Sequence, residues 1–165
     1  MDKLMVSPSP HIYSGDSTRK VMLDVIIALL PASVMSIVYF GYNAALLIAV
    51  CVATAVFSEW ACRRIMKRES TVGDLSAIVT GLLVALGLPS TLPLWMAMIG
   101  SAVAIVVVKQ MFGGIGQNFA NPAIAGRIVL MMSFTAAMTD WVEPFSWLSG
   151  SSDAVTTATP LASTY

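Results

Sequence analysis

Five apolar stretches follow one another along this chain, at about 21–41, 43–62, 75–91, 93–112 and 122–138, and each carries almost no charge. A bilayer core of about 30 Å needs about 20 helical residues to cross it. The first, second and fourth stretches meet that length; the third and fifth are short. Composition agrees. Hydrophobic residues make up 57% of the 165 and charged residues only 11%, whereas soluble domains are about 25% charged. The expected fold is an all-α integral membrane protein of about five transmembrane helices. A formal net charge of zero gives no electrostatic argument for a nucleic-acid partner. The first apolar stretch starts at Val21 after a polar lead, and no small-residue cleavage site comes after it, so it does not read as a signal peptide.

The breaks between stretches set the orientation. Arg63, Arg64, Lys67 and Arg68 follow the second stretch. The third ends in Leu88-Pro89-Ser90-Thr91-Leu92-Pro93. A Gly-rich run, Gly113-Gly114-Ile115-Gly116-Gln117-Asn118, interrupts the chain before the fifth. Threading five spans from a cytoplasmic N-terminus puts Lys3, Arg19, Lys20, the Arg63–Arg68 cluster, Lys109 and Arg127 all inside. These are the chain's nine basic residues, and positive-inside bias favours that arrangement. The outer segments hold the acids Asp140, Glu143 and Asp153. Three regions result: 1–20 as a cytoplasmic lead, 21–138 as the membrane domain, and 139–165 outside the cytoplasm. The chain stops at Tyr165 after an extended polar segment, and an odd number of spans suggests a missing partner half, so a fragment of a longer protein is expected.

Chemistry concentrates in two places. The tail reads Asp153-Ala154-Val155-Thr156-Thr157-Ala158-Thr159-Pro160. Pro160 disfavours helical backbone at Thr159 and so presents its hydroxyl on an extended segment. A threonine hydroxyl is a poor nucleophile without an activating partner, and by composition alone the tail is a solvated loop. The Gly-rich run is the second place. Gly113, Gly114 and Gly116 permit positive φ and close approach of another group. Asn121-Pro122 can open a helix, with Asn as the cap and Pro in the first turn. Two readings stand side by side: a flavin or ion site, or a tight helix crossing built on small residues. Arg127 pairs with a phosphate or snorkels to the inner interface.

The remaining candidates are plainer. Cys51 and Cys62, eleven positions apart on one span, are too far apart for a disulfide and read as small packing residues. His11 is the chain's single histidine. Asp24 and Glu59 lie near the inner ends of their spans, where a charge is tolerated; deeper acids mark ion paths. Trp95 and Trp141 read as outer interfacial anchors.

The tail resembles the flavinylation motif Asp-x-x-Ser/Thr-x-Ala-Thr, matched by Asp153, Thr156, Ala158 and Thr159; Thr157 stands where Gly is common. Ser9-Pro10-His11, Asp24, Asp74-Leu75-Ser76-Ala77, Thr80-Gly81 and the run from Gly113 through Asn118, Asn121 and Pro122 to Arg127 extend the likeness to the whole chain. The sequence is similar to the D subunits of Rnf electron-transport complexes, and to the related B subunits of sodium-pumping NADH:quinone reductases, which have a longer N-terminal lead. The resemblance implies FMN bound to Thr159 as a phosphoester by a secreted flavin transferase. It also implies a second, non-covalent flavin (riboflavin or FMN), for which Gly113, Gly114, Gly116, Asn118, Asn121 and Arg127 are candidates. It implies a fold of two inverted five-span repeats in a bacterial or archaeal cytoplasmic membrane.

The function so implied is that of a membrane subunit, not catalytic alone, that passes electrons between ferredoxin and NAD alongside its partner subunits, coupled to Na⁺ or H⁺ movement. The competing reading is half of a channel or solute transporter, since Asn121-Pro122-Ala123 is the tripeptide of aquaporin-type pores. Such pores carry two of these tripeptides, and this chain has one.

Overall fold

A computed structural model describes residues 17–67, 72–118 and 120–149. Within them every regular element is helical: α1 (Thr18–Phe40), α2 (Tyr42–Ile65), a 3₁₀ turn (Val72–Asp74), α3 (Ser76–Leu86), α4 (Leu94–Val103) continuing as a π-helical segment (Ala104–Gln110), α5 (Pro122–Ser133), and two short helices, α6 (Thr135–Thr139) and α7 (Ser146–Ser149). The chain is an all-α integral membrane protein. Helices α1 and α2 are each long and apolar enough to cross a bilayer, and the stretches Ser76–Leu86, Leu94–Gln110 and Pro122–Ser133 are shorter apolar helices.

Local chemistry sets most boundaries. Ser17 caps α1, its hydroxyl accepting from the Lys20 amide at 3.3 Å. Gly41 ends α1 and starts α2 at φ 71°, donating its amide to Ile37 O at 2.8 Å. A two-helix corner in a single residue needs that left-handed geometry, which glycine adopts without strain. Arg63 and Arg64 fill the last turn of α2, where the helix dipole favours cations. Asn121 caps α5 by accepting from the Ala123 amide at 3.0 Å, with Pro122 in the first turn, as the sequence predicts.

The short third and fifth stretches are half-length helices. At 1.5 Å per residue, α3 and α5 rise only about 16–18 Å. Helix α3 stops at Gly87 ahead of Pro89, and α5 breaks at Phe134, whose φ of −134° is not helical. Both packing faces depend on missing side chains. A β-carbon on Gly81 would lie 2.8 Å from the Val52 Cα on α2, and one on Gly126 would lie 2.7 Å from the Gly100 carbonyl on α4. The tight small-residue crossings expected of a membrane bundle are therefore at Gly81 and Gly100–Gly126, not in the Gly-rich run. Cys51 and Ala55 are fully buried against α3, and Ile105 and Leu130 fill the interior around the π segment and α5. Helix α1 lies at the edge, with Ser33 its sole buried residue and Ile27, Leu30 and Val34 facing outward.

The bundle has two chemically distinct ends. At one, the start of α1, the end of α2, the π segment and the Gly-rich turn meet. At the other, residues 140–147 fold back over the α1–α2 corner as a strap. The Phe145 amide donates to Tyr39 O at 2.7 Å, and the Trp147 ring nitrogen donates to Val38 O at 3.3 Å. The Phe145 and Tyr39 rings meet edge to face at 5.1 Å. The Trp147 ring covers Gly41 so closely that a β-carbon there would sit 2.8 Å from it. Thr91 pins the strap from the other side by donating to Asp140 O at 2.8 Å.

Candidate functional site

A cleft of about 380 Å³ opens at the first of these ends. Helix α3 supplies Ser76, Val79, Thr80 and Leu83; the Gly-rich turn supplies Ile115, Gly116 and Asn118; Ala120, Asn121 and Pro122 lead into α5; and Met22 of α1 and Lys109 of the π segment close it. One part of its wall is apolar and the other carries hydroxyl, amide and ammonium groups, the pattern of a site for a flat, partly polar small molecule. Helices α3 and α5 both begin here, so their unpaired first-turn amides face the same region.

Behind the polar wall lies a buried ionic network. Lys109 Nζ donates to Glu59 Oε1 at 2.8 Å and to Ser76 Oγ at 2.6 Å. Gln110 Nε2 donates to the same Glu59 oxygen at 3.0 Å. Lys109 is 2% exposed, and Glu59 and Gln110 are fully buried. The π-helical winding makes this possible. A wider turn puts Lys109 and Gln110, adjacent in sequence, close enough to share one carboxylate oxygen, and π segments occur disproportionately at functional sites. This network corrects one expectation. Glu59 does not sit exposed at a span end where its charge is tolerated; it is buried in an ion pair with Lys109. The sequence held a signal: two of the apolar stretches each carry one isolated charge of opposite sign near their inner ends.

The residues singled out in the Gly-rich run divide into three groups. Gly116, Asn118 and Asn121 line the cleft. Gly113 and Gly114 shape the turn instead. All three glycines have positive φ, at 112°, 109° and 83° for Gly113, Gly114 and Gly116. The Arg63 guanidinium lies over Gly114, with Nη2 2.8 Å from where a β-carbon would stand. The two asparagines are largely committed to the backbone. With its amide nitrogen turned inward, Asn118 donates to Gly114 O and Val108 O, each at 3.1 Å, and Asn121 caps α5. Arg127 belongs to neither group. It is exposed on α5, and its Cδ stands 3.5 Å from a β-carbon position on Gly87, at the far end of α3. It therefore reaches away from the cleft end and does not snorkel to that interface. The acceptor carbonyls at the C-terminal end of α3 favour a cation there.

Gly114→Val tests the turn. It meets both a disallowed φ and the Arg63 guanidinium, at a cost of about 1–3 kcal/mol for the strained backbone. Its yield of assembled complex and its flavin content are expected to fall; wild-type levels of both would make the turn an indifferent loop.

The other expected site residues, Asp153, Thr156, Ala158 and Thr159, lie outside the described residues, as does His11. Cys51 and Cys62 are unbridged, Cys51 buried and Cys62 half-buried, consistent with packing roles. Trp95 is half exposed and meets Phe134 edge to face at 5.3 Å.

Residues 5–165 match the family model described as the NQR2, RnfD, RnfE family. The D subunit of a Na⁺-translocating ferredoxin:NAD⁺ oxidoreductase complex from Acetobacterium woodii is 47% identical over 160 residues, covering 96% of this chain and 48% of that protein. The D subunit of a proton-translocating ferredoxin:NAD⁺ oxidoreductase complex from Clostridium ljungdahlii is 43% identical over 157 residues, covering 94% and 46%. The D subunit of an ion-translocating oxidoreductase complex from Actinobacillus succinogenes is 39% identical over 145 residues, covering 87% and 41%. The chain spans about half the length of these relatives.

Proposed function

Because the chain belongs to the NQR2, RnfD, RnfE family, we propose that it is the front half of a D-type subunit of an ion-translocating oxidoreductase complex, carrying FMN as a phosphoester on Thr159 and a second flavin held without a covalent bond in the cleft. The complex passes electrons between ferredoxin and NAD and couples them to Na⁺ or H⁺ movement; this subunit is a carrier within it. The observation that carries the reading is the Asp153-x-x-Thr156-x-Ala158-Thr159 motif, which comes directly after a strap fastened at the end of the bundle remote from Arg63, Lys109 and the Gly-rich turn. A flavin transferase working outside the cytoplasm fits a strap on that side.

The cleft fits a flavin ring by its division into apolar and polar walls and by its hydroxyl, amide and ammonium groups. Bound flavin supplies one-electron acceptor and donor chemistry. The chain's own part is to hold the ring between α3 and the Gly-rich turn and to face its polar edge with donors. The channel reading is the weaker one. It rests on the single tripeptide Asn121-Pro122-Ala123, whereas the family match covers residues 5–165.

Denatured protein from a host that has the flavin transferase should fluoresce on a gel under ultraviolet light; a dark band would remove the covalent flavin from the reading. The side assigned to the tail has its own test. Every basic residue except Arg127 lies toward the cleft end or precedes α1 or α3 in sequence, so a reporter fused after Tyr165 is expected to work only if it is of the kind active outside the cytoplasm. Activity of a cytoplasm-only reporter would invert the topology.

A further inference from the structure

Counting hydrogen bonds in the cleft wall identifies a pair of donors that the family reading does not require. Lys109 Nζ carries three N–H donors. One is placed on Glu59 Oε1 and one on Ser76 Oγ. Ser76 uses a lone pair to accept that bond, so its own O–H remains to be donated. The next hydroxyl along, Thr80 Oγ1, is already committed, donating to Ser76 O at 2.9 Å. Lys109 and Ser76 both line the cleft, so the bond between them runs along its wall. The wall thus offers one ammonium N–H and one hydroxyl O–H from atoms 2.6 Å apart.

Among the described residues, Lys109 is the sole buried basic side chain. A buried ion pair is weak evidence for stability, since an apolar pair of similar volume commonly serves as well. Its position in a cleft wall gives it another use. Glu59, itself accepting from Gln110, holds the ammonium from behind and balances its charge. The donors not used by that network are left for a ligand.

We propose that Lys109 and Ser76 form the donor pair that binds the acceptor edge of the cleft's ligand, namely the adjacent ring nitrogen and carbonyl oxygen of a flavin's pyrimidine ring. The assignment rests on the reading of the cleft as the non-covalent flavin site and names the groups that recognise the ring there. The pair selects for a conjugated, acceptor-rich edge and, through the ammonium, for one that gains negative charge.

The test uses the whole complex, stripped of its non-covalent flavin and titrated with riboflavin and with FMN by fluorescence quenching. The combined Glu59→Gln and Lys109→Met variant removes both charges of the pair together. It is expected to bind either flavin at least tenfold more weakly. Ser76→Ala is expected to weaken binding several-fold. Covalent flavin on the gel should be unchanged in both. If the double variant does not assemble, Ser76→Ala decides alone. Wild-type affinity in Ser76→Ala, or in an assembled double variant, overturns the donor pair. A third variant, Thr80→Trp, fills the cleft. Loss of non-covalent flavin there upholds the cleft as its site. Its retention means the flavin sits elsewhere, which overturns both that site and the pair. Retained cleft dependence with unchanged affinity in the first two variants overturns the pair alone.

Discussion

Thr159→Ala is expected to abolish covalent flavin while leaving the helices inserted. The side chain is chosen by the motif and by the proline next to it. Thr156 and Thr157 have the same hydroxyl, but neither precedes a proline and neither falls at the motif's last position. Pro160 disfavours helical backbone at Thr159, which would suit presentation of its hydroxyl to a modifying enzyme. Loss of one hydroxyl in this polar segment is expected to cost little stability, since surface substitutions away from special features fall within about 0.5 kcal/mol. Insertion and flavin attachment should therefore separate cleanly. Thr157→Gly should retain the flavin, and Asp153→Ala should reduce it. Peptide mass spectrometry over 153–161 gives the answer: an FMN mass increment in wild type, absent in Thr159→Ala. An increment that persists in that variant moves the attachment to a neighbouring hydroxyl.

Lys109→Met alone should destabilise the protein by about 3–5 kcal/mol, because it breaks a buried ion pair by removing the cation bonded to Glu59 at 2.8 Å. Adding Glu59→Gln should recover most of that loss. The neutral amide still accepts from Gln110 and no longer needs a counter-charge. Thermal unfolding of the purified complex in detergent separates the cases. If Lys109→Met unfolds at the wild-type temperature, the ion pair contributes nothing to stability.

Much of this fold is legible in the sequence because the bilayer imposes a one-dimensional rule. An apolar stretch either spans or is buried, so five stretches give five helical regions with boundaries close to those expected. Local rules of a few residues also hold: Asn121 and Pro122 open α5, and Gly113, Gly114 and Gly116 take positive φ. What the sequence conceals depends on contacts between distant residues. The charge count puts Lys109 on the inner side, but nothing local says that Glu59, fifty positions earlier, faces it. The change from α to π winding at Ala104 has no composition signature in Ala-Ile-Val-Val-Val-Lys-Gln. Arg127 has the expected place in the chain but the opposite heading, since direction depends on how α5 packs against α3. Of the Gly-rich candidates, position alone does not separate Gly116, which borders the cleft, from Gly114, which lies under Arg63.

The strap at Asp140–Trp147 acts as the fixed end of a leash. Ser149 is ten residues before Thr159, and a polypeptide extends at most about 3.3–3.6 Å per residue. A flavin on Thr159, as proposed, would therefore be confined to a radius of about 35 Å from Ser149, plus the length of its own side chain and phosphate. Any redox centre that exchanges electrons with it must come within tunnelling distance of that volume. Because the strap fastens that end at the Gly41 corner, a substitution that frees Trp147 from it would enlarge the range without touching the proposed attachment residue.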